Sequence, residues 1–277
     1  MAGALIIVLR EAVEAGLIIG IVLAATRGLP SRTRYVAAGV LGGILGAMLV
    51  AAFAGALSSA LEGTGQEVFN AAVLGLAVIM LAWHNIWMAR HGRQISEDVK
   101  KLGRDVASGT RSLTALALVV GLALLREGSE VVLFLYGLVL SSRDSGMNLL
   151  LGGVLGLLLG AGISALAYGG LAIIPSRYLF KVTSLLISFM AAGMAAQCVA
   201  FLEQADIVTA LGGIVWNSSA FVADNSVAGR VLHTLLGYTG KPTQLQLLVY
   251  LATLGAIFGF MKLAAAPAGS DRRLVTN

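Results

Sequence analysis

The sequence predicts an all-α polytopic membrane protein with seven transmembrane helices, and three observations support this fold class. Of the 277 residues, 58% are hydrophobic and 12% are charged, and the mean hydropathy is +0.89. Soluble globular domains are about 45–50% apolar and about 25% charged. Seven long apolar stretches run along the chain, and the first three resemble the next three. A soluble enzyme, a nucleic-acid-binding module and a disordered scaffold are therefore excluded.

Each apolar stretch lacks proline, is bounded by charged or turn-forming residues, and exceeds the ~17 residues that a spanning helix needs. The first is not predicted to be a signal peptide, because its amino end lacks a basic residue and its centre carries three charges. The predicted spans are residues 2–25, 35–61, 68–89, 113–140, 149–174, 179–202 and 245–263.

We expect a single transmembrane domain over residues 1–277. Its predicted parts are a first three-helix repeat at 1–111, a second at 112–203, an extracytoplasmic loop at 204–244, a seventh helix at 245–264 and a cytoplasmic tail at 265–277.

The distribution of Lys and Arg predicts the orientation. The face that holds the first, third and fifth loops and the carboxyl end carries fourteen of the 19 basic residues, and the opposite face carries three. Since basic residues accumulate on the cytoplasmic side, the amino terminus should lie outside. The outer face also carries six acidic residues, which would concentrate cations: Glu62, Glu67, Asp144, Glu203, Asp206 and Asp224.

Two loops carry patterns of their own. Between the third and fourth spans, apolar residues at helical spacing predict an amphipathic helix on the cytoplasmic membrane surface or a solvated linker helix. These residues are Ile95, Val99, Leu102 and Val106. In the long loop at 204–244, three aromatic residues would form an interfacial belt or a lid: Trp216, Phe221 and Tyr238.

The repeat is visible at two offsets. At 116 residues, Leu9-Arg10-Glu11 and Glu14 coincide with Leu125-Arg126-Glu127 and Glu130; at 114 residues, the glycines of the second span coincide with those of the fifth. Because three spans separate the copies, the halves would have opposite topology, and the binding site would lie near the midplane where they meet. The glycines predict close helix packing: Gly39, Gly42, Gly43 and Gly46, and Gly152, Gly153, Gly156 and Gly160.

The two charged motifs lie near the middle of the first and fourth spans. Successive helix residues are about 100° apart, so the arginine and both glutamates of each motif share one face. Three charges at the bilayer centre would cost about 8–10 kcal/mol, whereas a dozen Leu, Ile and Val residues return roughly 4–7 kcal/mol. Each charged face should therefore pack against other helices.

Four carboxylates and two guanidiniums in the membrane predict a cation site, because intramembrane charge marks ion pathways. A multivalent cation would replace the protons that crowded carboxylates hold, and oxygen ligands favour a hard ion. We expect the metal ligands to be Glu11, Glu14, Glu127 and Glu130, with Arg10 and Arg126 orienting one glutamate each. The alternative is an ion-pair network that only fixes helix register.

The remaining candidate residues are weaker. His84 could be a ligand or proton carrier, or a hydrogen-bonded packing residue. The single cysteine, Cys198, excludes disulfides and Cys-based zinc sites; with nearby methionines it could form a soft metal site or simply pack. His91 and His233 are expected at the surface.

The motifs resemble those of the oxidase-coupled high-affinity iron permeases, in their bacterial branch. An Arg-Glu-x-x-Glu in the first span and an Arg-Glu-Gly-x-Glu in the fourth carry the resemblance, which covers nearly the whole chain. Further similar segments are Glu62-Gly63, Gln66-Glu67-Val68-Phe69, Trp87-Met88, Leu202-Glu203-Gln204-Ala205, and Gly237-Tyr238 with Pro242, Gln246 and Tyr250. The sequence departs from the family at Ala12, Ser129 and Asn70, and at the last position many members carry an acid.

The resemblance implies a permease of the bacterial inner membrane, not an enzyme. It would import iron, in the ferric form, delivered by a partner oxidase or periplasmic iron-binding protein. Iron would be the transported substrate, with no permanently bound cofactor. Glu62 and Glu67 would concentrate cations at the outer entrance, and His84 and Asn70 are candidate positions on the pathway.

Three alternatives remain open from the residues themselves. The same glutamates would serve a transporter of another divalent cation or a proton-coupled cation exchanger. A membrane di-metal carboxylate oxidoreductase is disfavoured, because no His follows a Glu at the Glu-x-x-His spacing. A Ser-His hydrolase is disfavoured by the lack of a Gly-x-Ser-x-Gly motif.

Overall fold

The protein is helical throughout the residues that its computed structural model describes, which are 1–60, 66–141, 146–170, 176–219, 221–223 and 226–265. These residues contain eight helices and one isolated β-bridge, between Ile214 and Thr243. The helices are α1 (Ala2–Ala25), α2 (Arg32–Ala60), α3 (Gln66–Ala107), α4 (Thr114–Ser141), α5 (Gly146–Tyr168), α6 (Ser176–Gln204), α7 (Val227–Leu236) and α8 (Gln244–Ala265).

Five of these helices contain stretches that are long and apolar enough to cross a membrane: Arg32–Ala54, Gln66–Met88, Gly146–Tyr168, Phe180–Gln204 and Gln244–Leu263. Helices α1 and α4 have 24 and 28 residues and are also largely apolar, but each carries three charged residues near its middle. The chain is thus a polytopic helical membrane protein. A hydrocarbon layer of about 30 Å accounts for the length of these apolar stretches.

Helix α3 is longer than predicted. It continues for 42 residues, about 63 Å, so its carboxyl half extends past the apolar stretch that ends at Met88. Val99, Leu102 and Val106 are buried, and Val99 and Val106 pack in a cluster with Val22 and Leu116. The prediction of an amphipathic helix on the membrane surface or of a solvated linker helix is wrong, because these three side chains are covered within the protein; the side chain of Ile95 lies outside the described residues.

The loop before α8 contains a short helix, α7, that the sequence analysis does not predict. Ser226 caps its amino end by accepting a hydrogen bond from the backbone N–H of Gly229, and Gly237 ends it with a φ of 69°. His233 of this helix is half-buried, with ring nitrogens 2.7 Å from the Tyr238 carbonyl and 2.8 Å from the Ser141 carbonyl. The prediction that His233 lies at the surface is wrong, because the imidazole joins α7 to the end of α4.

The aromatic residues of this loop have different environments. Phe221 is 91% exposed and Trp216 is 41% exposed, whereas the Tyr238 hydroxyl lies 2.6 Å from Ser218 Oγ and donates to the Val222 carbonyl. Tyr238 therefore holds the loop together, and the two other aromatic side chains remain on its surface.

Helix pairing defines the architecture. Helix α1 packs along α5, α2 along α4, and α3 along α6, while α8 contacts α6 and α3. Glycines allow the first two pairs to approach closely: a Cβ atom on Gly156 would meet the Leu5 carbonyl oxygen at 2.5 Å, and one on Gly43 would meet the Gly121 carbonyl oxygen at 2.8 Å. The contact of α1 with α5 thus recurs between α4 and α2.

The recurring contacts have constant offsets. Leu5 and Gly121 are 116 residues apart, and Gly43 and Gly156 are 113 residues apart. At the same offset of 113, the hydrogen bond from Cys198 Sγ to the Ala71 carbonyl corresponds to that from Asn85 Nδ2 to the Ser184 carbonyl.

In the glycine-rich spans the packing recurs at an offset of 113, whereas the sequence alignment uses an offset of 114. At 113, Gly39 and Gly43 correspond to Gly152 and Gly156, and all four face a neighbouring helix. A Cβ atom on Gly42 would meet no atom within 4 Å among the described residues. Sequence identity alone selected a register in which one of the matched glycines does not pack.

Candidate metal centre

Both charged motifs form the same local structure. On α1, Arg10 Nε donates to Glu14 Oε1 at 2.9 Å; on α4, Arg126 Nε donates to Glu130 Oε1 at 3.1 Å. Residues four apart on a helix are neighbours on its surface, so each guanidinium can hold the second glutamate of its own motif. Of the first glutamates, Glu11 has no hydrogen-bond partner for either oxygen among the described residues, and Glu127 has none for Oε2, while its Oε1 lies 3.8 Å from Arg126 Nε.

The two motifs meet at His84, which projects from α3. Its Nδ1 contacts Glu130 Oε2, and its Nε2 lies 3.4 Å from Glu14 Oε2 and 3.9 Å from Glu11 Oε2. The imidazole is 3% exposed. One histidine thus touches carboxylates from both motifs.

Four side chains offer ligand atoms that lie within 4.8 Å of one another: Glu11, His84, Glu127 and Glu130. Several of the polar atoms in this centre find no hydrogen-bond partner among the described residues, including both Glu11 oxygens, Glu14 Oε2 and Glu127 Oε2. Unpaired buried carboxylate oxygens are costly unless a cation or protons compensate their charge. This arrangement can therefore accept a metal cation.

The two arginines differ in their surroundings. Arg10 is 3% exposed, whereas the side chain of Arg126 is 39% exposed and its guanidinium lies 4.5 Å from the centre of the Trp87 ring. A guanidinium over an indole face is a favourable cation–π contact. The centre is thus enclosed on the side of α1 and more open where Trp87 and Arg126 meet.

The predicted entrance residues are not part of this centre. Glu62 lies outside the described residues. Glu67 is exposed in the first turn of α3, and Asn70 is half-buried one turn further on. At 1.5 Å per residue, Glu67 is about 25 Å along the helix from His84. A role for these residues in cation entry stays a prediction.

The methionine and cysteine residues of α6 pack instead of meeting this centre. Met190 and Met194 belong to the buried apolar cluster that also contains Leu74 and Phe134, and Cys198 donates to the Ala71 carbonyl. The packing interpretation of these residues agrees with their contacts.

Sequence reasoning assigned the glutamates to one site but gave His84 a minor place. A single histidine has no partner at metal-ligand spacing along its own helix, so its contacts with α1 and α4 could not be read from periodicity. The one available signal was its position inside an apolar span, where polar residues are expensive.

Taken together, a helical membrane fold and a buried acidic centre between its helices are features of cation transporters. The model of the iron permease FTR1 family matches residues 1–268, and the chain belongs to this family. It is therefore an iron permease, a transporter rather than an enzyme, which removes the di-metal oxidoreductase and hydrolase alternatives.

Similar proteins from bacteria support this assignment. The ferrous iron permease EfeU of Escherichia coli O6:H1 is 28% identical over 274 residues, covering 97% of this chain and 98% of the relative. EfeU of Escherichia coli O157:H7 is 28% identical, over 88% and 89% of the two chains, and EfeU of Shigella flexneri is 30% identical, over 67% and 78%. No solved structure matches the chain at a significant level.

Proposed function

We propose that this permease imports iron through the buried centre formed by the two Arg-Glu-x-x-Glu motifs. The observation that carries the proposal is the convergence of α1, α3 and α4 on one group of ligand atoms, all within 4.8 Å of each other. The metal ligands of this proposal include Glu11, Glu127 and Glu130. Glu14 is not one of that group, but it faces the same imidazole from the Arg10 side, and the proposal includes it as the fourth glutamate.

The proposed role of Arg10 and Arg126 is to orient Glu14 and Glu130 and to limit the affinity of the site. Four carboxylates and two guanidiniums leave a formal charge of −2. This charge attracts a cation, yet the two arginines keep the net negative charge of the site small enough for the cation to leave. Release matters in a permease, because a site with four uncompensated carboxylates would retain a multivalent cation.

For the oxidation state of the iron, the family resemblance and the relatives' names point in different directions. The family resemblance implies ferric iron that a partner oxidase or periplasmic iron-binding protein delivers, whereas the relatives are named ferrous iron permeases. Following the relatives' names, we propose Fe²⁺ as the ion in the centre. Fe²⁺ needs no oxidase, so the partner in this proposal is a periplasmic iron-binding protein that delivers the ion at the outer face.

The proposed architecture is seven spans, with α1–α3 and α4–α6 as an inverted repeat and α8 as the last span. The recurring contacts at offsets of 116 and 113 residues support it, since equivalent residues meet equivalent partners in both halves. In this arrangement residues 1–111 and 112–203 are the repeats, 204–244 the outer loop and 265–277 the cytoplasmic tail. The amino terminus would lie outside a bacterial inner membrane.

The membrane potential can drive import. An inward potential is worth ~2.3 kcal/mol per charge per 100 mV, which gives about 4.6 kcal/mol for a divalent ion. The sequence contains no ATP-binding motif, so the proposed driving force is the potential, alone or with a proton gradient.

Uptake by proteoliposomes tests this function. Purified protein is reconstituted, and uptake of ascorbate-reduced iron is compared with that of ferric citrate under an imposed potassium diffusion potential and with a pH gradient present or removed. We expect Fe²⁺ uptake that rises with the inward-negative potential. Uptake of ferric citrate only would refute Fe²⁺ as the ion in the site, and uptake of neither would refute autonomous transport by this chain.

A further inference from the structure

His84 supplies the nitrogen donor in a centre that otherwise consists of carboxylates. It is buried, it projects from a third helix, and it touches glutamates of both motifs. We propose that His84 is a ligand of the transported cation and sets its selectivity for transition-metal ions over Mg²⁺ and Ca²⁺. This proposal rests on the proposed transport function and assigns a selectivity residue within the same site.

The spacing of the donor atoms fits a shared cation. Two ligand atoms bound to one first-row divalent ion at about 2.0–2.2 Å are about 2.8–4.1 Å apart when the angle between them is about 90–140°. Nε2 of His84 lies 3.4 Å from Glu14 Oε2 and 3.9 Å from Glu11 Oε2, within this range. These separations exceed those of good hydrogen bonds, whereas each of them fits two ligands of one metal ion.

The opposite ring nitrogen is held in the manner of a metal ligand. Histidines that bind metals usually donate their other ring N–H to a carboxylate or carbonyl, which fixes the tautomer and the ring orientation. Nδ1 of His84 contacts Glu130, so an N–H on Nδ1 would leave the lone pair of Nε2 on the side of Glu11 and Glu14. One side of the imidazole is thus fixed by α4 and the other faces the cation.

The next residue along α3, Asn85, shows which hydrogen bonds a buried polar side chain makes when it serves helix packing. Asn85 donates to the Ser184 carbonyl and to Ser188 Oγ, and accepts from Ser184 Oγ, so α6 satisfies it. His84 has no such partners among the described residues; carboxylates face both of its nitrogens. A histidine that served only packing would be expected to bond backbone or hydroxyl groups, as Asn85 does.

A nitrogen donor changes which cations the centre prefers. Carboxylates and carbonyl oxygens suit Mg²⁺ and Ca²⁺, whereas imidazole suits iron, zinc, nickel and copper. Four glutamates alone would therefore bind the abundant alkaline-earth ions well. With His84 as a ligand, an iron permease can take up scarce iron while Mg²⁺ and Ca²⁺ are in excess.

Competition measurements test the selectivity. Uptake of ⁵⁵Fe²⁺ into proteoliposomes is measured with 0–1000-fold Mg²⁺ or Ca²⁺ for the wild type, His84→Gln and the control His91→Gln, whose ring stacks on Trp87. We expect His84→Gln to lose at least about tenfold in apparent iron affinity and to become sensitive to both competitors. Unchanged iron affinity and resistance in His84→Gln would overturn the proposal.

A direct measurement on the wild type covers the case in which His84→Gln is inactive or misfolded. Purified protein is loaded with one equivalent of Cu²⁺, and pulsed electron paramagnetic resonance is used to detect the remote nitrogen of a coordinated imidazole. We expect the nitrogen signal in the wild type and in His91→Gln, and its loss in a folded His84→Gln. A wild-type spectrum without imidazole coupling, or an unchanged signal in His84→Gln, would overturn the proposal.

The two measurements also separate this proposal from the transport function. Iron uptake by a wild type that shows no imidazole coupling would refute His84 as a ligand and leave transport intact. Imidazole coupling without iron uptake would refute transport through this centre and leave the metal-binding role of His84 intact.

Discussion

Arg10 and Arg126 occupy equivalent positions in the two motifs, but their surroundings differ in a way that only the structure reveals. Arg10 is enclosed with Glu14, its Nη1 lacks a partner among the described residues, and its side chain is 3% exposed. Arg126 is 39% exposed and stacks on Trp87. The same four-residue spacing thus produces a fully buried ion pair on α1 and a partly exposed one on α4.

This difference predicts unequal costs of removing the two arginines. Arg10→Met should destabilise the protein by about 3–5 kcal/mol, because it leaves Glu14 buried without its partner. Arg126→Met should cost distinctly less, since the exposed pair contributes less to stability. Thermal unfolding in detergent micelles would measure both. Equal losses of stability in the two variants would contradict the difference in burial between the two ion pairs.

The helices pack through small residues at positions that the apolar composition alone does not distinguish. Gly156 lies against the backbone of α1, and Gly42, in the equally glycine-rich α2, faces open space among the described residues. In a membrane, where lipid is as apolar as leucine, such close contacts are a main source of helix association.

Gly156→Ala should therefore separate α1 from α5. The added Cβ would meet the Leu5 carbonyl oxygen at 2.5 Å and the Leu9 nitrogen at 2.9 Å, both of them backbone atoms that cannot move alone. We expect a loss of about 1–3 kcal/mol and a lower unfolding temperature. Gly42→Ala is the matched control and should be neutral or slightly stabilising. Equal unfolding temperatures of Gly156→Ala and Gly42→Ala would show that the close contact at Gly156 does not stabilise the packing of α1 on α5.

Glu203 joins two helices rather than standing in an acidic entrance. It lies in the last turn of α6, and its two oxygens accept hydrogen bonds from Thr243 Oγ1 and Gln246 Nε2, both at 2.8 Å, at the start of α8. From the sequence, Glu203 is grouped with the acidic residues that would attract cations to the outer face. Its hydrogen bonds could not be foreseen, because nothing in the sequence relates residue 203 to residues 243 and 246.

Glu203→Ala should loosen the junction of α6 and α8. Hydrogen bonds to a charged group are worth about 1.5–3 kcal/mol each, so the unfolding temperature should fall clearly. Glu203→Gln keeps an acceptor of the same shape and should retain a larger part of the stability. If iron uptake fell in both variants while stability stayed the same, Glu203 would belong to the cation pathway instead.

At the scale of the whole molecule, composition and periodicity were enough to predict a helical membrane protein and the positions of its apolar helices. They were not enough to predict the length of α3, because the stripe at Val99, Leu102 and Val106 fits a membrane surface as well as a neighbouring helix. Nor could they predict the short helix α7, whose ten residues lie in a loop.

The centre was predictable only where the sequence repeats itself. Glu11 and Glu127 stand in two copies of one motif, and the cost of charge in a membrane makes them candidates without any structure. His84 has no repeated copy and no ligand partner on its own helix, so only the packing of α3 against α1 and α4 brings it to the glutamates.

The proposed topology predicts that two exposed positions lie on opposite sides of the membrane. In a Cys198→Ala background, a cysteine at Thr110, after α3, should react with an impermeant maleimide only from the cytoplasmic side. A cysteine at Thr209, after α6, should react only from outside; both positions are exposed. Labelling of both positions from the same side would contradict the seven-span arrangement and the inverted repeat.

The central claim is that the two motifs act as one cation site and not as structural ion pairs. The most direct measurement is iron uptake per folded molecule for Glu11→Gln, Glu127→Gln and the double variant Arg10→Met/Glu14→Gln. The account predicts three folded proteins whose uptake is at least about tenfold lower than that of the wild type, because each has lost a carboxylate of the site. The double variant removes the buried pair as a unit, so its stability should be largely kept. A well-folded double variant with wild-type uptake would contradict the shared site.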